Sequence, residues 1–573
     1  MDISFFMKPK NDMQKRYEAL RALYVDKQSA NEVAKKFNYS IHTVYYLKKQ
    51  SLDKKFQEFF LPLHKGAYEM HNKTVNAEEI IIDLRKKKFS IIEIQEHLLK
   101  QKIKLSMQTI RTVLEREGFA KLYRRTKAER LLIINGQRNN AEKSSIKTFG
   151  TQQKISTPFG GIFLFMPILS QLNIDKIINE VSLYGSKEIP KLNYFISYLS
   201  VKLLGIERLS HIKDYHFDIG LGASAGLNVL PSSTALTEYT YKNTKKDTIK
   251  LLKGFVKNLR DAGFIKGHKI NLDFHSIPHF GNESELEDNW ISTRNKRMKS
   301  VLAMFAQDLE TTFLCYSNGD IKNSEANDEI LQFVKFYKET NGVKPECLVF
   351  DSKLTTYSHL DILANKEKIK FITLKKRGKK FIKSIANIKN WTSIKLDSVS
   401  REYRNLKINE QKVSLSKYTG NIRQIIVTGN GRELPMVLIT NDTKSSAKDI
   451  ITTYTKRWRI ENNIQENVDF FNLNALSSPV IVKVNFDIAI TLIANSLYKI
   501  LAKDIRFFEN SKSSKLFRNF IEINSDVEIT DDSLIVTFYK KAFTPLLKDW
   551  IKDKQSLCIP WLDNKKLVFN FKN

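Results

Sequence analysis

At 573 residues the chain is too long for one compact domain, and its length points to roughly three or four. It carries 94 Lys and Arg against 62 Asp and Glu, a formal +32. That excess favours a polyanionic partner, nucleic acid foremost, although a lysine-rich codon bias can produce it too. The three cysteines, Cys315, Cys347 and Cys558, stand far apart with no CxxC pair and no His cluster, which excludes a disulfide framework and a zinc site.

The opening stretch MDISFFMKPKNDMQK has no apolar run of signal-peptide length, and the longest uninterrupted apolar patch, Gly160–Leu169, is too short to span a bilayer. No basic amphipathic helix or lipidation motif accompanies the charge. A cytoplasmic, reduced protein with no membrane partner is expected.

In chain order, a helix around Arg16–Tyr24 precedes an apolar helical spacing at Ala30, Val33, Ala34 and Phe37. The break NYS and the cap Ser40 then open a helix from Ile41 to about Gln50, with Val44 and Leu47 inward. His42, Thr43, Tyr45, Lys48 and Lys49 face outward. Helix, tight turn and polar-faced helix make the helix-turn-helix pattern, whose second helix enters a DNA major groove, so 1–65 is expected to be such a module. Residues 75–135 repeat the idea, with helices opened at Ser90 and Ser106, a stop at Gly118 and a basic tail of Lys121, Arg124, Arg125 and Lys127. A generic helical bundle is the plainer alternative. A polar linker is expected over 140–160, and a helical accessory region over 150–265 with no chemistry of its own.

From Gly267 the pattern changes. KINLDFH, SVLAMFAQD and TFLCYSN predict three strands, Asn327–Thr340 a helix, ECLVFD a strand and Ser358–Leu363 another helix. That order belongs to the α/β ribonuclease-H-like fold. The segments FITLKK, SIKLDSV, QKVSLSKY, RQIIVTG and PMVLITN predict a β-rich insertion over 369–439, and one long helix is expected from Ser445 to Phe471. The catalytic domain is therefore expected at 266–368 and 440–510; 511–573 has mixed signals and no usable motif.

Three acids occupy positions where charge is rare unless paired or liganding. Asp273 interrupts the apolar run 270–274, Asp351 ends another, and Glu461 lies on the expected long helix. Carboxylates gathered from two central strands and a crossing helix suit hard divalent cations and phosphodiester chemistry. Each has a plainer role open to it: a hydrogen-bonded buried acid for Asp273, a helix cap for Asp351, an i, i+4 pair with Arg457 for Glu461. His275, on the face of Asp273, is expected to make a structural hydrogen bond, and His279 to occupy a turn. Arg294, Lys296, Arg297 and Lys299 are candidates for DNA-backbone contact or a solvated loop. Trp458 is expected to pack its helix onto the sheet.

Tyr454, Arg457 and Glu461 in YTKRWRIE, with LDFHSIPHFG and VFDSKLTTYSHLDIL, resemble the DDE transposases of bacterial insertion sequences, in the cut-and-paste subgroup with a Tyr-Arg-Glu helix signature. The likeness covers roughly Gly267 to Pro479. It implies Asp273, Asp351 and Glu461 as catalytic ligands of two Mg²⁺ ions, with Mn²⁺ as a substitute, and Tyr454 and Arg457 as phosphate contacts. It implies binding of element ends and target DNA by a homodimer, in a bacterial cytoplasm at the nucleoid. The 110 residues from Asp351 to Glu461 resemble the subgroup's β-rich insertion. In such relatives a tryptophan of that insertion can stack on a flipped base, which makes Trp391, near Arg401 and Arg404, the candidate here, with packing in the insertion's own core as its plainer role. Members often carry Lys seven residues after the Glu, where this chain has Val468. A hydrolytic nuclease of the same fold, or a decayed DNA-binding protein, are the alternatives.

Overall fold

The computed structural model describes residues 12–52, 72–87, 89–119, 153–215, 218–281, 286–397, 404–476 and 478–572. The chain divides into two compact units, 1–76 and 77–573.

In the first unit, α1 (Asp12–Tyr24), α2 (Ala30–Phe37) and α3 (Ile41–Leu52) surround a small core of Ala19, Ala22, Val33, Phe37 and Val44. Ser29 and Glu32 close a capping box at the start of α2. Asn38 ends it at φ 50, and Ser40 Oγ accepts from the Thr43 amide at 3.1 Å to start α3. His42, Tyr45 and Lys48 are exposed and Thr43 is half-buried. The Lys49 side chain lies outside the described residues, as do Lys121, Arg124, Arg125 and Lys127.

The helices α4 (Asn72–Lys86), α5 (Ile91–Lys100) and α6 (Met107–Arg116) follow, with Ser90 and Ser106 capping as their side-chain chemistry predicts. This bundle is welded to the larger body rather than strung beside it. Ile81, Leu98, Ile110 and Leu114 share one apolar cluster with Val480 and Val482. The Ile481 amide donates to the Glu117 carbonyl at 2.9 Å, and Arg116 is paired to Glu78 and Glu117.

Where a linker was expected, Gln153–Thr157 form strand β1. Six helices then build the accessory region: α7 (Phe165–Gln171), α8 (Ile174–Glu180), α9 (Lys191–Leu203), α10 (Ile219–Ser224), α11 (Ser233–Lys242) and α12 (Lys245–Asp261).

The central sheet begins with β2 (Lys269–Pro278), β3 (Asp288–Ile291), β4 (Lys296–Asp308) and β5 (Leu314–Ile321). Next come α13 (Glu329–Asn341), β6 (Cys347–Phe350), α14 (Tyr357–Asp361) and β7 (Lys370–Leu374). Its core order is β5-β4-β2-β6-β7, with β2, β6 and β7 parallel and β4 antiparallel. After α15 (Lys379–Ala386) come β8 (Thr392–Lys395), β9 (Asn405–Ser414), β10 (Asn421–Thr428) and β11 (Met436–Thr440). These four continue the same sheet, because β11 pairs antiparallel with β7 through Leu438 and Leu374. The expected insertion boundary at 369 therefore cuts off β7, a strand of the core, and the β-rich segment extends the sheet instead of standing apart from it.

The long helix expected over 445–471 is two: α16 (Ala447–Thr455) and α17 (Trp458–Asp469). At the break the Arg457 amide bonds to the Tyr454 carbonyl at 3.0 Å and the Ile460 amide to the Arg457 carbonyl at 3.1 Å, the tighter i→i+3 spacing. The 24-residue α18 (Ile481–Asp504) is long and apolar enough to cross a bilayer, but 89% of its apolar window is buried inside the protein. It is apolar all round because β5, α9 and α12 pack around it. A second sheet closes the fold: α19 (Ser513–Leu516), β12 (Ser525–Ile529), β13 (Ser533–Phe538), α20 (Thr544–Ile551), β14 (Leu557–Ile559) and β15 (Lys565–Phe571). Its order β1-β12-β13-β15-β14 ties residues 153–157 to the last sixty of the chain.

Gly118 sits at φ +77, and an added Cβ would lie 2.1 Å from the Pro479 carbonyl oxygen. Gly118→Ala is expected to cost at least about 1 kcal/mol. In limited proteolysis the bundle at 77–119 should be released earlier than in the parent, and an unchanged digestion pattern would refute this docking.

Candidate active site

Two aspartates meet because of strand register. Leu272 of β2 is paired with Phe350 of β6 in a parallel ladder. The next residue on each strand is an acid, so Asp273 and Asp351 stand side by side, about 4.8 Å apart strand to strand. Asp273 Oδ1 accepts from the Phe274 amide at 2.9 Å, and Asp351 Oδ1 from the Lys353 amide at 2.8 Å. The Asp351 carbonyl accepts from the hydroxyls of Thr355 and Thr373, which fix the end of β6.

The third acid arrives across the sheet. α17 packs on β2 and β4, and the Gln307 side chain donates to the Arg459 carbonyl at 3.2 Å. Glu461 lies in the first turn of α17, where the helix dipole favours negative charge. Tyr454, Arg457 and Glu461 stay in contact across the helix break, Arg457 reaching Tyr454 three residues before it and Glu461 four residues after it.

Arg457 joins the acids. Its Nη1 is 3.3 Å from Asp273 Oδ2 and its Nη2 is bonded to Glu461. The guanidinium also stands 6.0 Å from the Tyr454 ring centroid. Burial pushes Asp273 up from the ordinary 3.8 to about 7; Arg457 opposes the rise, and the charges of Asp351 and Glu461 add to it. Against burial, the charges of Asp273, Tyr454 and Glu461 hold Arg457 protonated above its ordinary range. Burial likewise pushes Tyr454 up to about 12. All three carboxylates therefore act on one point of the protein.

Among the described residues, no group of three His, Cys, Asp or Glu side chains stands ready to enclose a metal ion. Arg457 occupies the space between two of the three acids. The donor set itself, three carboxylates in mutual repulsion, fits a hard divalent cation, which would relieve the same charge that Arg457 now neutralises.

These groups face a cavity of about 740 Å³ lined by Asp351, Tyr454, Arg457, Trp458 and Glu461, with Arg432 from the turn between β10 and β11. Trp458 is 63% exposed there and does not pack α17 onto the sheet as expected. Trp391 is the reverse case: its ring packs with Ile385, Ile426 and Val437, and its indole N–H donates to the Ile388 carbonyl at 2.8 Å. Arg401 lies outside the described residues. His275 Nε2 is 2.8 Å from Asn474 Oδ1, and burial lowers its pKa, so it makes a structural bond. Arg294, on the turn joining β3 and β4, and Lys296 and Arg297, the first residues of β4, are exposed and stand away from the three acids in sequence and in pairing. Val468 is half-buried against the core.

Lys353 was not singled out from the sequence. Its ammonium stands 4.7 Å from the Phe274 ring, and both Asp351 and Asp273 act on it, although burial lowers its pKa. Only its place two residues after Asp351 could have pointed to it.

The raised pKa of Asp273 has a sign that can be checked. The folded protein keeps a proton that the unfolded chain releases above about 4, so stability tied to the neutral carboxyl is complete below that pH and lost as pH rises through about 7. Asp273→Asn stays neutral. Its unfolding temperature in chelator should exceed that of the parent by more at pH 8 than at pH 5; an equal difference at both would overturn the reading.

Residues 267–495 match the family model described as Transposase DDE domain. No curated protein matches the chain.

Proposed function

We propose, from the premise that residues 267–495 belong to the transposase DDE family, that the chain excises and reinserts an insertion sequence by cutting and joining its ends. The observation that carries this reading is that Asp273 stands beside Asp351 through strand register and is joined to Glu461 through Arg457. DNA binding alone gives three gathered acids no task.

Asp273, Asp351 and Glu461 would hold two divalent cations, Mg²⁺ or Mn²⁺ in its place. Such ions supply activation of the attacking oxygen and neutralisation of charge on the phosphate and leaving group. The chain's own residues do the rest. Arg457, a planar two-armed cation beside the acids, is suited to grip a phosphate through two oxygens. Tyr454, kept neutral by burial, offers a hydroxyl donor. Lys353 and Arg432 bring positive charge to the same mouth. Val468 stands where related chains often have lysine, so these cations take over that share of the charge. Trp458, rather than Trp391, presents an open ring at the cavity and is suited to stack on a nucleobase.

The helical modules at 1–65 and 75–135 would bind the terminal inverted repeats, with His42, Thr43, Tyr45, Lys48 and Lys49 toward the groove and Arg124 and Arg125 on phosphate. Arg294, Lys296 and Arg297 would touch the DNA backbone. Work on two ends at once calls for a homodimer in a synaptic complex, acting in the bacterial cytoplasm on the nucleoid.

The test is a duplex bearing the inverted repeat that flanks the coding gene, incubated with a target plasmid in Mg²⁺. Cut and joined products are expected, and Glu461→Gln should lower both by at least about a thousandfold while DNA binding is retained. Cutting without joining would favour a nuclease. Binding with neither step would favour a catalytically decayed DNA-binding protein.

A further inference from the structure

Beyond Asp273, β2 runs on to Pro278 and is followed by His279 and Phe280. There a second cavity of about 860 Å³ opens between the end of β2, α11, the turn at 209–215 and the chain that follows α17. It is separate from the carboxylate site, and nothing described so far uses it.

Its charges do not cancel. Glu207 is paired with Arg208 at 3.3 Å and Glu238 with Lys242 at 3.6 Å. Lys483, projecting from the start of α18, is only 7% exposed and lies 4.3 Å from the Tyr241 ring centroid. Among the described residues its ammonium has no hydrogen-bond acceptor. The nearest carboxylate acting on it, Asp487, is already engaged by Lys202 at 2.8 Å and the Tyr198 hydroxyl at 2.9 Å. Burial pulls Lys483 down to about 8, with Asp487 pulling back. On the same wall His279 is 9% exposed, and its Nδ1 has no partner among the described residues. An ammonium with no acceptor on a cavity wall is costly to keep, and an anion in the cavity would satisfy it, with the unenclosed Nε2 edge of His279 on the same wall.

The rim indicates which anion. Phe280 is 60% exposed at the cavity, and the Arg294 guanidinium stands 5.7 Å from its ring centroid. Lys296 and Arg297 follow as the first residues of β4, so exposed positive charge runs up to the cavity mouth. A track of that kind suits a polyanion better than a small free ion.

We infer that this cavity is a phosphate seat for DNA, in which Lys483 and His279 hold one backbone phosphate well away from the bond being cut. The inference rests on the DNA-cutting reading above and adds to it a fixed second contact. His279 lies six residues beyond Asp273, roughly 20 Å at the rise of a strand. That is about six base pairs of duplex. Two anchored phosphates at that separation would set the direction in which DNA crosses the sheet.

The experiment uses the full chain and the inverted-repeat duplex. Each phosphate near the cleavage point is replaced singly by an uncharged methylphosphonate, and binding is read by fluorescence anisotropy over a range of salt. The unaltered protein should lose affinity at one phosphate about six base pairs from the cut. Lys483→Met, which keeps the stem and removes the charge, should be indifferent at that phosphate and have a salt slope shallower by about 0.9. Lys483→Arg should behave like the parent. His279→Gln should weaken the same position and no other, which covers the case in which Lys483→Met fails to fold. A scan of the unaltered protein with no sensitive phosphate at that distance overturns the seat. So does a Lys483→Met protein with parental slope and pattern. A parent protein that neither binds nor cuts the duplex would instead overturn the function proposed above.

Discussion

Three carboxylates drawn together in a poorly solvated place repel one another, and Arg457 is the group that lets this chain fold with them so. Its two arms reach Asp273 and Glu461, and its charge opposes the rise of the Asp273 pKa that burial and the other two acids cause. The arrangement is balanced but not relaxed, since Asp273 still titrates near neutral pH. A buried charge cluster of this kind adds little net stability, and its value lies in being poised. A divalent cation entering between the acids would compete with Arg457 for the same oxygens, and the displaced guanidinium would remain within reach of whatever anion comes with it.

Strand register and a few side-chain contacts position the cluster. The parallel register of β2 on β6 puts two acids abreast. The hydroxyls of Thr355 and Thr373 pin the end of β6. Across the break between α16 and α17, Arg457 keeps contact with Tyr454 behind it and Glu461 ahead of it. Trp458 points outward because the inner face of α17 is Ile460, Asn463 and Ile464.

The strands around the site and the acids on them could be read from the sequence, because alternating burial and interrupted apolar runs are local signals; the Tyr-Arg-Glu spacing comes from the family resemblance. What could not be read depends on contacts distant in the chain. The helix break leaves no Gly or Pro as a marker, since i→i+3 bonding at Lys456–Arg457 needs neither. The segment 370–440 was recognised as β-rich, but its continuity with the sheet rests on β11 pairing with β7 across more than sixty residues. Strand β1 looked like linker because its partner lies at 525–529. The apolar helix α18 was hidden by Lys483, Asn485 and Asp487 at its start, where polar groups face Lys202, Gly319 and the second cavity. Trp458 is exposed rather than packed for the same reason: a tryptophan's neighbours, not its type, decide whether its ring is core or surface.

The position of α18 also binds the parts together. Its first residues take the Glu117 carbonyl and the apolar face of the second helical bundle. One turn on, Lys483 lines the second cavity and Asp487 holds α9 through Lys202 and Tyr198. Asn485 meanwhile accepts from the Gly319 amide of β5 at 2.6 Å. A single buried helix end therefore touches the bundle, the accessory helices, the edge of the sheet and an unneutralised cation. A rigid junction of that kind keeps distances between sites constant, which a protein needs if one strand of DNA is to be held at a second point while its phosphodiester bond is brought to Asp273, Asp351 and Glu461.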